Sequence, residues 1–479
     1  MLRLAQKSIP IQIALFLCIG LFMGLALSRV ADLPNKMLFA IVGGLAFPFV
    51  LLVVKDLRRF MMVGAVIAIP FHLDVNFMHV FERQAGAATA GISMVDIFVL
   101  GLLLIWLLEL ASQDHPYAVF FARIALPAIL YLEAAVLSML WAPRLDLAFM
   151  EVFRMLKVLL LFFMLINHIR DKDDLRIVVW ALISTLAIQG VISGLQVIKG
   201  GRLGLEFLGE APIDPDEDVS LWRVMGTLGH PNKLATYIES LLLLCLGAFL
   251  FERKKILRYA AIGVFSLALA VLIMTGTRGA WIGFILAFAV FIFFSLRNRH
   301  INVRMIIKPA ITAVLAMAVV GFAFSDMMSE RIFGDDYGSA ASRIPMFQIA
   351  LNVIAAHPIG GVGINNYQVN MREYNDSVRA MRYTTIPRPV HNMYLLTAGE
   401  IGIIGFAMML LMLISLVSVL VKTASSPSTL LSITAICLLG GITAFCVHGL
   451  VDKHPPGGYA PFYTMMAMAV AAYLIDQRH

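Results

Sequence analysis

The feature that most restricts this chain is a succession of about fourteen apolar runs. Most are about 18–22 residues long, the length a helix needs to cross a bilayer. They centre near residues 11–28, 37–54, 60–71, 93–110, 118–140, 149–167, 176–197, 232–251, 258–274, 280–296, 309–326, 394–421, 429–447 and 459–475. Unpaired backbone amides are costly in hydrocarbon, so only helices or a closed barrel can span it. A barrel needs strict alternation, which these runs lack. The expectation is an all-α polytopic membrane protein of about 12–14 transmembrane helices, with a large, partly helical outer loop. Composition agrees, with 60% apolar residues, 14% charged and a mean hydropathy of +0.88. A water-soluble fold cannot carry that much apolar surface. The third run is short and ends before His72, as a half-span or interfacial piece would. Met1 to Lys7 and the run after them read as the first membrane helix, because no small-residue cleavage site follows.

The net charge of +7 is explained first by topology, and no nucleic-acid partner is expected. An inside N-terminus places Lys55, Arg58, Arg59, Arg170, Lys172, Arg176, Arg253, Lys254, Lys255, Arg258, Arg297, Arg299, Arg304 and Lys308 on the inner side. Both termini are then cytoplasmic. Cys18, Cys245, Cys437 and Cys446 all lie in apolar runs without metal-ligand spacing, as buried small hydrophobes do. The chain divides into residues 1–220 (seven membrane helices and an outer loop), 221–326 (four more), a large outer loop 327–391 and the C-terminal helices of 392–479. The segment 199–231 is polar, with an acidic stretch from Asp214 to Asp218. Within 327–391, Ile344, Phe347, Leu351 and Ile354 recur at helical spacing, an amphipathic helix able to lie on the membrane or cap the bundle. His357-Pro358 and Gly360, Gly361 and Gly363 then make a tight bend before Asn365, Asn366 and Tyr367.

Three outer segments hold polar groups suited to chemistry. In Thr275-Gly276-Thr277-Arg278-Gly279-Ala280-Trp281 an arginine joins two apolar runs with almost no loop. Its guanidinium fork suits diphosphate oxygens and keeps its charge, although an interfacial arginine also snorkels to headgroups. Arg223 opens a second segment that runs through His230-Pro231-Asn232-Lys233. Asn232 and the amides after Pro231 suit a helix start facing an anion, and Arg223 is a second phosphate-directed cation. His230 and Lys233 are candidates too, against a plain capping or headgroup role. The third segment is His391-Asn392-Met393-Tyr394-Leu395. A histidine there can take a proton near neutral pH, with Asn392 and Tyr394 orienting a sugar or the imidazole; a simple helix cap is the alternative.

Under the positive-inside topology Arg223, Arg278 and His391 fall at one membrane face although three separate segments supply them. Two diphosphate-binding cations beside one base describe group transfer from a lipid diphosphate. Glu133 and Glu239 sit within apolar runs, where carboxylates are costly and usually functional, and Glu239 is placed to line the same cavity as Asn232. Asp96 suits capping or an interhelical contact. Asp452-Lys453-His454 reads as a local salt bridge in a turn.

Taken in order, these segments resemble the O-antigen ligase family, which includes O-antigen polymerases and protein-glycosylating ligases. The matching pieces are Arg223 with Gly226 to Asn232, the Thr-Arg-Gly-Ala-Trp turn at 277–281, the His-Pro-Ile-Gly-Gly-Val-Gly bend at 357–363, and His391 to Leu395 running into Gly399-Glu400-Ile401-Gly402. The resemblance covers roughly residues 220–420 by motif. It implies a bacterial inner-membrane glycosyltransferase with a periplasmic active site and no metal or cofactor. Its donor would be a glycan on undecaprenyl diphosphate. By the same resemblance Arg278 and Arg223 hold the diphosphate and stabilise its leaving charge, and His391 positions or deprotonates the acceptor hydroxyl, with inversion at the anomeric carbon. The acceptor is lipid A-core for a ligase, or another lipid-linked glycan for an O-antigen or exopolysaccharide polymerase. Two features depart from the family pattern: the run count exceeds about twelve, and His230 stands where a small or amide residue is more usual. A transporter or flippase is the rival from another class, but the polar groups gather at one face and no internal repeat is visible.

Overall fold

The computed structural model describes residues 54–80, 89–112, 120–212, 223–298, 343–375, 389–454 and 456–478, with isolated positions between 301 and 322. The runs near 11–28, 37–54 and 309–326, the acidic stretch 214–218 and Cys18 lie outside this set, apart from those isolated positions. The chain is mostly helical, as expected. Its described helices are α1 Leu57–Ala68, α2 Met94–Ser112, α3 Ala122–Ser138, α4 Leu145–His168, α5 Lys172–Lys199 and α6 Pro231–Phe251. They continue with α7 Lys255–Met274, α8 Arg278–Arg297, α9 Arg343–Ala356, α10 Met393–Thr423, α11 Thr429–His448 and α12 Ala460–Gln477. Among the described residues, eight helices are long and apolar enough to cross a membrane.

The short third run is α1, 12 residues started by the Asp56 carboxylate accepting from the Arg59 amide. A two-stranded antiparallel hairpin follows, β1 Asp74–His79 with β2 Thr89–Ser93, which the helical reading did not anticipate. Asp96 then accepts from the Ser93 amide (2.7 Å) and from Lys157 of α4 (2.7 Å), so it serves both capping and interhelical pairing. At the far end of α6 from His230, Glu252 accepts from Arg176 (2.6 Å) and Trp180 (2.7 Å). Asp174 there takes both Arg58 (2.8 Å) and Arg59 (2.7 Å). These positive residues thus collect at one end of the bundle, opposite the start of α6. Helix α11 packs against both α6 and α8, and α12 is buried along nearly its whole length.

The amphipathic helix expected in the outer loop exists as α9, but its buried face is not the one read from the sequence. Met346, Ile349, Ala350 and Val353 turn inward, while Ile344 and Leu351 are exposed. Apolar residues line both sides of this helix, so spacing alone selects neither; packing on α10 does. The following bend embraces a break in α10. At Gly402 (φ 71°, ψ −176°) the helix opens, and its freed carbonyls at Gly399 and Glu400 accept from the amides of Val362 and Gly363, both at 2.9 Å. The sequence motifs 357–363 and 399–402 are therefore the two halves of one joint. Asn366 ties the loop to the α3–α4 connection, accepting from the Arg144 amide (2.9 Å) and donating to its carbonyl (3.1 Å).

Candidate active site

The loop bearing Arg223 is held by two glutamines of α5. Gln189 accepts from the Thr227 amide (3.0 Å) and donates to its hydroxyl (2.7 Å), and Gln196 accepts from the Gly226 amide (3.0 Å). Gln196 also donates to Glu210 (2.6 Å), a buried carboxylate that collects the amides of Leu203, Gly204 and Leu205. The amides of Gly226 and Thr227 and both glutamine side chains are thus paired, which fixes where the chain enters α6. The N-cap of that helix is His230, whose Nδ1 accepts from the Asn232 amide at 3.1 Å, with Pro231 in the first helical position. A capping Nδ1 needs its lone pair. Although part of the ring reaches solvent, surrounding protein desolvates it, and the charge of Arg223 assists; His230 is pushed down to about 4. Lys233 and Lys453 act in the same sense, so all three cations face this ring.

The Arg278 turn docks directly on this start. Gly276 takes φ 61° between α7 and α8, and the Thr277 hydroxyl donates to Asn232 Oδ1 at 3.2 Å. Asn232 therefore serves as a tie between two helix starts. Arg278 is exposed at the first position of α8. Its neighbour Gly279 lies so close to Val451 and His448 that a Cβ would stand 2.6 and 2.7 Å from their side chains.

His391 belongs to the same cluster. Its Nδ1 lies 3.2 Å from Asp452 Oδ1, and its side chain remains about a third exposed. Asn392 caps α10 by accepting from the amides of Tyr394 and Leu395, both at 2.9 Å, and donates to the Leu450 carbonyl at 3.0 Å. Tyr394 donates its hydroxyl to the Cys446 carbonyl at 3.0 Å. Both side chains thus bind α10 to the end of α11 rather than reaching toward open space. Asp452 is a hub that reaches beyond the local salt bridge read from its neighbours, of which His454 supplies the partner. Its hydrogen bonds come from His391 and from the Lys453 amide (2.8 Å), and His448 Nε2 and His454 Nδ1 lie 3.8 Å from its second oxygen. Burial disfavours this carboxylate, but the three histidines outweigh it and hold Asp452 well below the usual range.

The structure therefore gathers Arg223, His230, Asn232, Arg278, Asn392 and His391 at one end of the bundle. Three helix N-termini open there, those of α6, α8 and α10. Each helix start carries about half a positive elementary charge, so the end as a whole favours an anion. Lys233, Lys453 and Arg343 add to this field, the last within electrostatic reach of His448. Among the described residues no group of three or more His, Cys, Asp or Glu side chains is arranged to hold a metal ion. Glu133 is exposed on α3. Glu239 is buried, and its Oε1 lies 2.7 Å from His448 Nδ1.

Part of this sequence has a counterpart among known proteins. Residues 262–410 match the O-antigen ligase family model. That domain is shared by O-antigen ligases and polymerases. The O-antigen ligase stretch runs from α7 into α10 and contains Arg278 and His391; Arg223, His230, Glu239, His448 and Asp452 lie outside it. An uncharacterized protein of Haemophilus influenzae is 25% identical over 202 residues, covering 40% of this chain. The chain spans about half the length of that curated relative. Sequence reasoning missed His448, which ends an apolar run, and undervalued Asp452. An ionisable residue at the edge of a span is the signal that points to the former.

Proposed function

We propose that this protein is a membrane glycosyltransferase that moves a glycan from undecaprenyl diphosphate to an acceptor hydroxyl at the periplasmic face, in the manner of an O-antigen ligase with lipid A-core as acceptor. The observation that carries this reading is the meeting of the Arg223 loop, the Arg278 turn and the His391–Asp452 pair at one end of the bundle. Arg223, Arg278 and the free amides of α6 and α8 hold the donor's diphosphate at the bilayer edge. His391 Nδ1–H donates to Asp452, which leaves Nε2 with a lone pair for the acceptor O–H. As that proton passes to Nε2, the acceptor oxygen bonds to the anomeric carbon and the bond from that carbon to the diphosphate breaks. The electron pair leaves on the diphosphate, where the arginines meet its new charge. Attack opposite the leaving group inverts the anomeric centre.

The test is transfer by purified protein in detergent, with undecaprenyl-diphosphate glycan and either lipid A-core or a second lipid-linked glycan supplied. Wild type glycosylates lipid A-core, whereas Arg278→Ala and His391→Ala fold normally and transfer at least about a hundredfold more slowly. Extension of the lipid-linked glycan alone would make the protein a polymerase. Glycan movement across vesicles without any new glycosidic bond would replace the reading with transport.

A further inference from the structure

Behind the proposed base lies a buried pair that the transfer scheme does not use. Glu239, in the middle of α6, and His448, the last residue of α11, have side chains no more than 1% exposed. Their Oε1–Nδ1 distance is 2.7 Å, and the opposite ring nitrogen faces Asp452 at 3.8 Å. Asp452 in turn bonds His391. A line of four side chains, hydrogen-bonded at both ends and in ion-pair range between His448 and Asp452, therefore joins the bundle interior to the proposed base.

The proton count along this line is restrictive. His448 stands between two carboxyl groups, so a neutral imidazole would turn a bare lone pair toward one of them. Thr236 also approaches His448 Nδ1, at 3.3 Å, but its hydroxyl proton is committed to the Asn232 carbonyl at 2.9 Å. Among the described residues Glu239 alone can share a proton with that nitrogen. Its second oxygen, again among the described residues, is buried without a partner, beside Gly283, where a Cβ would come within 3.0 Å of it. A half-partnered carboxylate in such a place is costly, which favours a proton held within the pair. Wherever between Oε1 and Nδ1 that proton rests, His448 keeps its other N–H directed at Asp452.

We infer that Glu239 and His448 are positioning residues: their shared proton fixes the His448 tautomer, which orients Asp452 so that His391 presents an unprotonated Nε2 to the acceptor. This deepens the transfer reading and rests on it. His454 Nδ1 also lies 3.8 Å from the same Asp452 oxygen, and the other charged groups around the line are Lys453 beside Asp452, Arg343 of α9, Arg278 of α8, and Arg223 and Lys233 flanking His230.

The experiment compares Glu239→Gln with Glu239→Leu. The amide of Glu239→Gln still donates to Nδ1 and keeps the tautomer, whereas Glu239→Leu has nothing to give. Protein labelled with nitrogen-15 histidine, assigned by difference against His391→Gln and His448→Gln, reports both tautomers by solid-state NMR without any substrate. Glu239→Leu is expected to bring up the second tautomer of His391 and to lower kcat by about tenfold or more at unchanged KM. Glu239→Gln should match wild type in both respects. A wild-type tautomer and kcat in Glu239→Leu would overturn the inference, as would a Glu239→Gln variant as impaired as Glu239→Leu. Should wild type transfer no glycan at all, the functional reading fails while the tautomer signals still decide this one.

Discussion

Replacing Asp452 with asparagine tests the proposed base through its partner. In the transfer step His391 becomes an imidazolium 3.2 Å from the carboxylate, so the pair's attraction grows as the reaction proceeds. Over that distance Coulomb's law gives about 1.3 kcal/mol in water and about 5 kcal/mol at an effective dielectric near 20. The Asp452 side chain is 10% exposed but that of His391 is 32% exposed, which places the interaction toward the screened end. A loss of about 1.3–2.6 kcal/mol follows, or about 10- to 100-fold in kcat at 1.36 kcal/mol per decade. Because the interaction is strongest in the transition state, KM should move little. Single-turnover transfer from undecaprenyl-diphosphate glycan measures both quantities. An Asp452→Asn protein within twofold of wild type would refute the pairing of base and carboxylate. A variant that raises KM at full kcat would instead make Asp452 a binding group.

Three further expectations concern the scaffold. Gly402→Ala places a Cβ 1.8 Å from the Ile359 carbonyl, in a backbone conformation essentially reserved for glycine, so its yield of folded protein should collapse; monodisperse expression at wild-type levels would contradict the joint described above. Gln189→Leu strips the Thr227 amide of its buried acceptor at a cost of about 1–3 kcal/mol, visible as a lower thermal midpoint and a raised donor KM as Arg223 loosens. His230 binds fewer protons folded than unfolded between its folded value of about 4 and the ordinary value of 6.5. Stability from this group is therefore complete above pH 6.5 and is lost as pH falls through that window. His230→Asn, which keeps a capping side chain, should flatten that part of the thermal midpoint against pH.

Much of the fold was legible because a membrane leaves few choices. Runs of apolar residues had to become helices, and the runs that fall among the described residues did so, down to the short α1. The start of α6 was readable too, since Pro231 can only stand in its first turn, whereas Asn392, read as orienting a sugar or the imidazole, instead carries the oxygen that the first amides of α10 require. What hydropathy could not convey was the face of α9. Ile344 and Leu351 are as apolar as Met346 and Ile349, and only the shape of α10 around its opening at Gly402 decides which pair is covered. The hairpin of Asp74–His79 and Thr89–Ser93 escaped for a related reason: its strands are too short to show a period.

The site was legible in its charges and illegible in its pairings. Arg278, Arg223 and His391 announce themselves because each interrupts an apolar context at a turn, where a membrane protein has little structural need for them. Asp452 carries no such mark, since a turn reading Asp-Lys-His satisfies its own charges on paper. The fold decides otherwise by bringing the end of α11 against the starts of α8 and α10. Met393 donates to the Gly449 carbonyl at 2.8 Å, and Gly279 admits His448 where any side chain would exclude it. Once those contacts exist, the Asp452 carboxyl faces three imidazoles, and the lysine beside it in sequence is left to face the His230 end of α6. In an open turn only the sequence neighbours compete for a charge; here the helix ends bring His391 and His448 to the carboxylate beside the neighbouring His454.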